Sequence, residues 1–384
     1  MGNYKFLKKE GIKLFVAILC LLLVSCSNQE DDSYTGDEPD TREVLNPVVS
    51  STPLDERDQA YIYGDNFAVS FGITELGWVN LTFDPNDLSG YEPFFGQINL
   101  TYPDDILEAT LSNISNSTAN FMLKLFLNYE EIPFRVLGED KDYVTEFIFP
   151  IDGGYQLSIP FVLNSDFLDE NEHYKLTAAV FVDPELYAID HEHLWASFAF
   201  ANGINLDLFV GNGGELQLAT TYNLSPLERI ENPDIGSLAV WTDLDDFSLP
   251  VGIYFDDLPL VQALRGEELE LSFIAGLIGP KNTDILIYPT MELPPEVIAE
   301  NYVILALLDW QQIELNGEPY LFVYVEENDS EIIVDLGRFT ITVPDEPGFY
   351  DFVAFIIPNA NHENTFHSFF PLVFSVRFTI EVIE

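Results

Sequence analysis

The five histidines of the chain are His173, His191, His193, His362 and His367. On an extended strand His191 and His193 project from one face, with Asp190 or Glu192 beside them, and that set could hold zinc or copper. These two are the metal-ligand candidates. His362 and His367 stand five apart, so a strand places them on opposite faces. A helical zinc pair needs i, i+4 spacing, and one further residue swings the second imidazole round by about 140°. His362-Glu363-Asn364-Thr365-Phe366-His367 therefore fails as a protease site.

Other chemistry is harder to place. The sequence has no serine nucleophile elbow, no P-loop and no glycine-rich dinucleotide fingerprint. With 65 acidic side chains, a carboxylate pair for glycoside hydrolysis cannot be singled out. Asp243/Asp245/Asp246, Asp256/Asp257 and Glu326/Glu327/Asp329 are candidates for one structural calcium ion, though none has EF-hand spacing. Asp84-Pro85-Asn86-Asp87-Leu88-Ser89-Gly90 has Leu where that loop needs an oxygen ligand. No other cofactor is implied, and the sequence points to a protein that is not an enzyme. Trp78 and Trp241 are the candidates for an exposed platform on which a sugar ring could stack. The formal net charge is -50, and this excludes nucleic acid as a partner, because phosphate binding needs clustered Lys and Arg.

The elements that must position these residues are strands. Phe374, Val376, Phe378, Ile380 and Val382 alternate with polar residues, as do Phe339, Ile341 and Val343, and Leu269, Leu271 and Phe273. Val79, Leu81 and Phe83 repeat the pattern. Leu176 to Val182 and Phe352 to Ile357 are apolar on both faces, as central covered strands are. Only Asp257 to Gly266 and Asp105 to Leu111 carry helical signals. The fold class expected is all-β.

Two stretches of the chain match each other. Leu125 to Ile132 lines up with Ala306 to Ile313, Leu157-Ser158-Ile159-Pro160 with Ile341-Thr342-Val343-Pro344, and Tyr174 to Pro184 with Tyr350 to Pro358. His191 to Phe198 aligns with His362 to Phe369. Four blocks in one order predict a tandem duplication, with one β-sandwich over 59–212 and a second over 213–384. Tyr174 and Tyr350 resemble the tyrosine of an immunoglobulin-like strand F, and Tyr129 and Trp310 the buried aromatic of strand C. The resemblance implies tandem immunoglobulin-like sandwiches.

The amino terminus carries the most specific signal. Lys5, Lys8, Lys9 and Lys13 precede an apolar run, Leu14 to Val24, of secretory rather than membrane-spanning length. The run ends in Leu23-Val24-Ser25-Cys26, which resembles the lipobox of bacterial lipoproteins cut by signal peptidase II. The resemblance implies removal of 1–25 and lipidation (diacylglycerol, palmitate) of Cys26. Cleavage removes four lysines and one glutamate and takes the net charge from -50 to -53. Residues 26–58 are polar and acidic and read as a flexible tether. The acids after Cys26 also look like the surface-export signal of Bacteroidota lipoproteins. The expectation is a cell-surface protein held in the outer membrane, or in the cell membrane of a Gram-positive cell, by the lipid on Cys26. Its role is read as non-catalytic adhesion, scaffolding or capture of a surface protein or glycan. A carbohydrate-binding lipoprotein of a polysaccharide-uptake system is the alternative, and an extracellular hydrolase without a recognisable motif is the second.

Overall fold

The computed structural model describes residues 48–54, 69–75, 97–113, 115–139, 142–185, 201–211, 238–241, 261–278, 301–324, 332–358, 373–374 and 377–384. They are almost all strand, and the sole helical turn among them is a 3-10 turn at Ser165–Phe167. The chain is all-β. In order come β1 (Ser50–Pro53), β2 (Val69–Glu75), β3 (Gln97–Leu100), β4 (Leu107–Asn113), β5 (Ala119–Leu127), β6 (Glu130–Glu131), β7 (Phe134–Val136), β8 (Glu146–Ile151), β9 (Tyr155–Leu163), β10 (His173–Val182) and β11 (Ala201–Val210). The rest are β12 (Leu238–Trp241), β13 (Val261–Leu264), β14 (Glu268–Ile278), β15 (Asn301–Leu308), β16 (Gln311–Gln312), β17 (Leu321–Tyr324), β18 (Ile332–Thr342), β19 (Gly348–Pro358), β20 (Val373–Phe374) and β21 (Phe378–Ile383).

One sheet runs β1-β9-β4-β2 with β7 also on β9, and a second runs β3-β11-β10-β5-β6 with β8 also on β5. Their facing sides close one core, where Leu107, Ala109 and Leu111 of β4 meet Leu176, Ala178 and Val180 of β10. A third sheet, β12-β14-β18, closes a second core against the fourth, β13-β21-β19-β15-β16, which also carries β17 and β20. The large sheets are built alike: an edge strand pairs in parallel with β11 in one and β21 in the other, and the next pairings are antiparallel. Leu271, Phe273, Phe339 and Ile341 fill the second core, so the alternation in β14 and β18 points their apolar faces inward.

Three expectations need correction. Asp105 to Leu111 is not helical. Asp105 instead caps a turn, its carboxylate accepting from the N–H groups of Thr101 and Tyr102 at 2.7 and 2.9 Å, and the chain then enters β4. The described part of Asp257 to Gly266 is likewise strand β13, with Val261 and Ala263 inward. In both places period-2 burial against a sheet outweighs local capping signals. Finally, the tether does not run to residue 58, because β1 pairs antiparallel with β9 from Ser50 to Pro53. Its side chains stay exposed, as suits an edge held by backbone bonds, while Leu54 is buried and its N–H donates to Gly154 O at 2.9 Å. Val79 to Phe83 lies outside the described residues.

Every residue of β10 is buried, although only alternate side chains face the first core. The outward side chains Ala179 and Phe181, with Met122 and Phe126 of β5, pack against Val303, Leu305 and Leu307 of β15 and Val353, Phe355 and Ile357 of β19. The two large sheets thus lie face to face, and the sandwiches stack into four layers. Each large apolar side chain buried there contributes about 1.5–3 kcal/mol relative to exposure. This contact is the joint of the molecule.

Candidate functional site

The joint is framed by two matching turns. Asn128 and Tyr129 join β5 to β6 with φ of 48° and 70°, and Asp309 and Trp310 join β15 to β16 with φ of 48° and 65°. Two successive positive φ values make the type I′ loop that matches strand twist in a hairpin. Asn and Asp suit its first position, and Asn128 shows how: its carbonyl Oδ1 accepts from Lys175 N at 2.9 Å while its own N–H donates to Lys175 O at 2.8 Å. Tyr and Trp stand where glycine is favoured, at a cost of about 1–2 kcal/mol each.

That strain aims two aromatic rings into the joint. Tyr129 is fully buried and edge-on to Tyr320 at 5.5 Å. Burial pushes its hydroxyl well above the usual range. Trp310 Nε1 donates to Pro184 O at 2.8 Å, its ring lies 5.0 Å from Phe181, and the Arg377 guanidinium sits 4.6 Å above it. The Gln312 amide crosses the same contact, accepting from Glu131 N at 2.7 Å and donating to Tyr129 O at 2.8 Å. Tyr129 and Trp310 are therefore not the sandwich-core aromatics their sequence suggests. They bridge the sandwiches, because the left-handed turn carries them off the strand and across the outer face of the sheet.

Polar clusters flank the apolar centre of the joint. On the first sandwich His173, Lys175 and Thr177 of β10 stand opposite Phe209, Asp207 and Asn205 of β11. Asp207 Oδ1 accepts from Lys175 Nζ at 2.5 Å and from His173 Nε2 at 3.0 Å, and Thr177 donates to Asn205 Oδ1 at 2.8 Å. Burial pushes the Asp207 carboxyl up, but hydrogen bonds and charge from His173 and Lys175 outweigh it and hold the group below its ordinary range. The His173 ring stacks on Phe209 with centroids 4.2 Å apart.

On the second sandwich Asp351 accepts from Arg377 Nε at 2.6 Å and Thr379 Oγ1 at 2.9 Å, and it also pairs with Arg377 Nη2. Arg377 Nη1 reaches across to Asp183 O at 3.2 Å. Burial raises the carboxyls of Asp309 and Asp183 from their ordinary values; for Asp309 the charges of Asp351 and Glu146 add to it. Lys124, buried on β5, pairs with Glu131 and lies 3.8 Å from Glu146. These ion pairs lie within one sandwich or the other and hold charge in a dry place, and the Arg377 bond to Asp183 O links the two.

Among the candidates from the sequence, Cys26, Trp78, His191 and His193 lie outside the described residues, as do His362, His367 and the calcium candidates. Trp241 ends β12 in register with Ser272. Among the described residues no group of three or more His, Cys, Asp or Glu is placed to hold a metal. The tyrosines of the immunoglobulin-like resemblance do have its geometry. Tyr174 hydroxyl accepts from Asp169 N at 2.6 Å and Tyr350 hydroxyl donates to Glu346 O at 2.8 Å, each a few residues upstream. Sequence reasoning missed the cluster of His173, Lys175 and Asp207. Its only linear sign is a polar face on a strand otherwise apolar on both sides.

No family model matches the chain, and no curated protein matches it. Solved structures overlay it only loosely. Red sea bream transglutaminase gives a TM-score of 0.20 at 8% identity, covering 82% of this chain, which spans 31% of that protein's length. The C-terminal domain of the Streptococcus agalactiae AgI/II polypeptide BspA gives 0.21 at 10% identity, covering 82% of this chain and 100% of that one. The E. coli chaperone DraB gives 0.22 at 11% identity, covering 82% and 99%.

Proposed function

We propose that the chain is a lipid-anchored protein of the bacterial cell surface that arose by tandem duplication and serves a non-catalytic role in adhesion, scaffolding or ligand capture. The observation that carries the anchor is Leu23-Val24-Ser25-Cys26 at the end of an apolar run preceded by four lysines. The non-catalytic role draws support from the joint, where Trp310, Gln312 and Arg377 hydrogen-bond across to the first sandwich. A rigid double sandwich on a polar tether suits display of a surface away from a membrane.

Two measurements test this reading. The native chain should partition into detergent, and Cys26→Ser should be released or left unprocessed; equal partitioning would sink the anchor. Binding of the intact protein to a glycan array, abolished by Trp78→Ala or Trp241→Ala, would replace scaffolding with glycan uptake.

A further inference from the structure

We propose that Lys175 and Asp207 are joined by an amide bond from Lys175 Nζ to Asp207 Cγ, a covalent cross-link between β10 and β11. The two residues are directly opposed in the antiparallel register. Lys175 Nζ and Asp207 Oδ1 are in direct contact at 2.5 Å. Their side chains are 1% and 2% exposed, so both charges sit in a place that water does not reach. Burying two ions costs several kcal/mol apiece, and a neutral amide removes both charges at once. Fixed reactants in contact also gain the large effective concentrations of intramolecular reactions, on the order of 10⁵–10⁸ M.

His173 completes the arrangement. Its Nε2 lies 3.0 Å from the same Asp207 oxygen, and the stack on Phe209 fixes the ring. Its Nδ1 is buried without a hydrogen-bond partner, so Nε2 and Asp207 carry the ring's polar contact. The step balances without a co-reactant. The ammonium passes one proton to Asp207 Oδ1, and the freed amine lone pair attacks Cγ. A second proton passes from Nζ to Oδ1, the oxygen to which His173 Nε2 donates; the Cγ–Oδ1 bond breaks, and water departs. One proton remains as the amide N–H, and nothing is oxidised or reduced.

Two other pairs serve as internal controls. Lys124 shares Glu131 and Glu146, whose side chains are 15% and 38% exposed, so water has access to those carboxylates. At the matching place in the second sandwich, Arg377 pairs with Asp351, and a guanidinium stays protonated and offers no amine lone pair. The cross-link thus belongs to the first sandwich alone.

Peptide mapping of the denatured full-length chain decides the matter. Trypsin cuts after Lys141, Lys175 and Arg229 in this region. The amide predicts a peptide 142–229, uncut at Lys175 and one water lighter than its sequence, that yields no backbone fragments separating residues 175 to 207. Lys175→Arg should abolish it. Asp207→Asn should give a peptide of the same mass, since loss of ammonia leaves the same amide. Recovery of 142–175 and 176–229 as separate peptides of unshifted mass from the wild-type chain would overturn the proposal, whether or not any variant folds.

Discussion

Trp310→Ala tests how the sandwiches are held. The indole loses its hydrogen bond to Pro184 O, its contact with Phe181 and its place under Arg377. A net hydrogen bond contributes about 1 kcal/mol. The aromatic contact adds about 0.5–1.5 kcal/mol, and a partly desolvated cation over a Trp face about 0.5–2 kcal/mol. Alanine keeps the cost of the left-handed turn, so strain relief does not offset these losses. The loss should therefore be about 2–4 kcal/mol, below or at the low end of the about 3–5 kcal/mol typical of Trp→Ala in a full core, because Trp310 is only partly buried. At about 1.4 °C per kcal/mol for a cooperative unit of about 330 residues, the melting temperature followed by circular dichroism should fall by roughly 3–6 °C. Trp310→Gly should fall less, since glycine adopts this turn freely. A drop under about 0.5 kcal/mol, in the range of ordinary surface changes, would refute the bridging role.

Three further outcomes follow from the same geometry. The Asp309 carboxyl is raised in the folded state by burial and by Asp351 and Glu146, so the fold binds that proton more tightly than the unfolded chain does. Its contribution to stability is thus unfavourable above the raised value and relieved as pH falls through it; Asp309→Asn should stabilise the protein at pH 7 and flatten the pH dependence in urea titrations, and a destabilised variant would contradict this. Arg377→Met strands the buried Asp351 carboxylate and should cost about 3–5 kcal/mol, while Arg377→Met with Asp351→Leu should recover most of that loss; equal losses in single and double variants would show that the charges themselves are needed. Gly337→Ala brings a Cβ to 2.4 Å from the Phe273 ring and should cost about 1–3 kcal/mol in the same titration, with an unchanged midpoint as the contrary result.

The sequence showed some of this architecture and hid the rest for physical reasons. Alternation located β14, β18 and β21, because one buried face imposes period 2 on the residues themselves. The runs at 176–182 and 352–357 announced strands covered on both sides, and both are. Their composition could not say that each covers the other. Tyr129 and Trp310 sit in turns of the same shape and were still misplaced, since a positive φ at a bulky residue carries none of the Asn-Gly signal that usually marks a type I′ turn. Asp105 and Gly266 imitated helix caps, but a neighbouring strand decides such short segments. His173, Lys175 and Asp207 met only once strand register was known, since 32 residues separate Lys175 from Asp207 in the chain.

The central claim is that two sandwiches share one apolar joint and behave as one body. Scanning calorimetry of the full-length chain tests it most directly. A shared joint predicts a single endotherm whose van't Hoff and calorimetric enthalpies agree, because neither sandwich can leave without exposing the other's covered sheet. Two resolved endotherms, each with its own matching pair of enthalpies, would contradict the account.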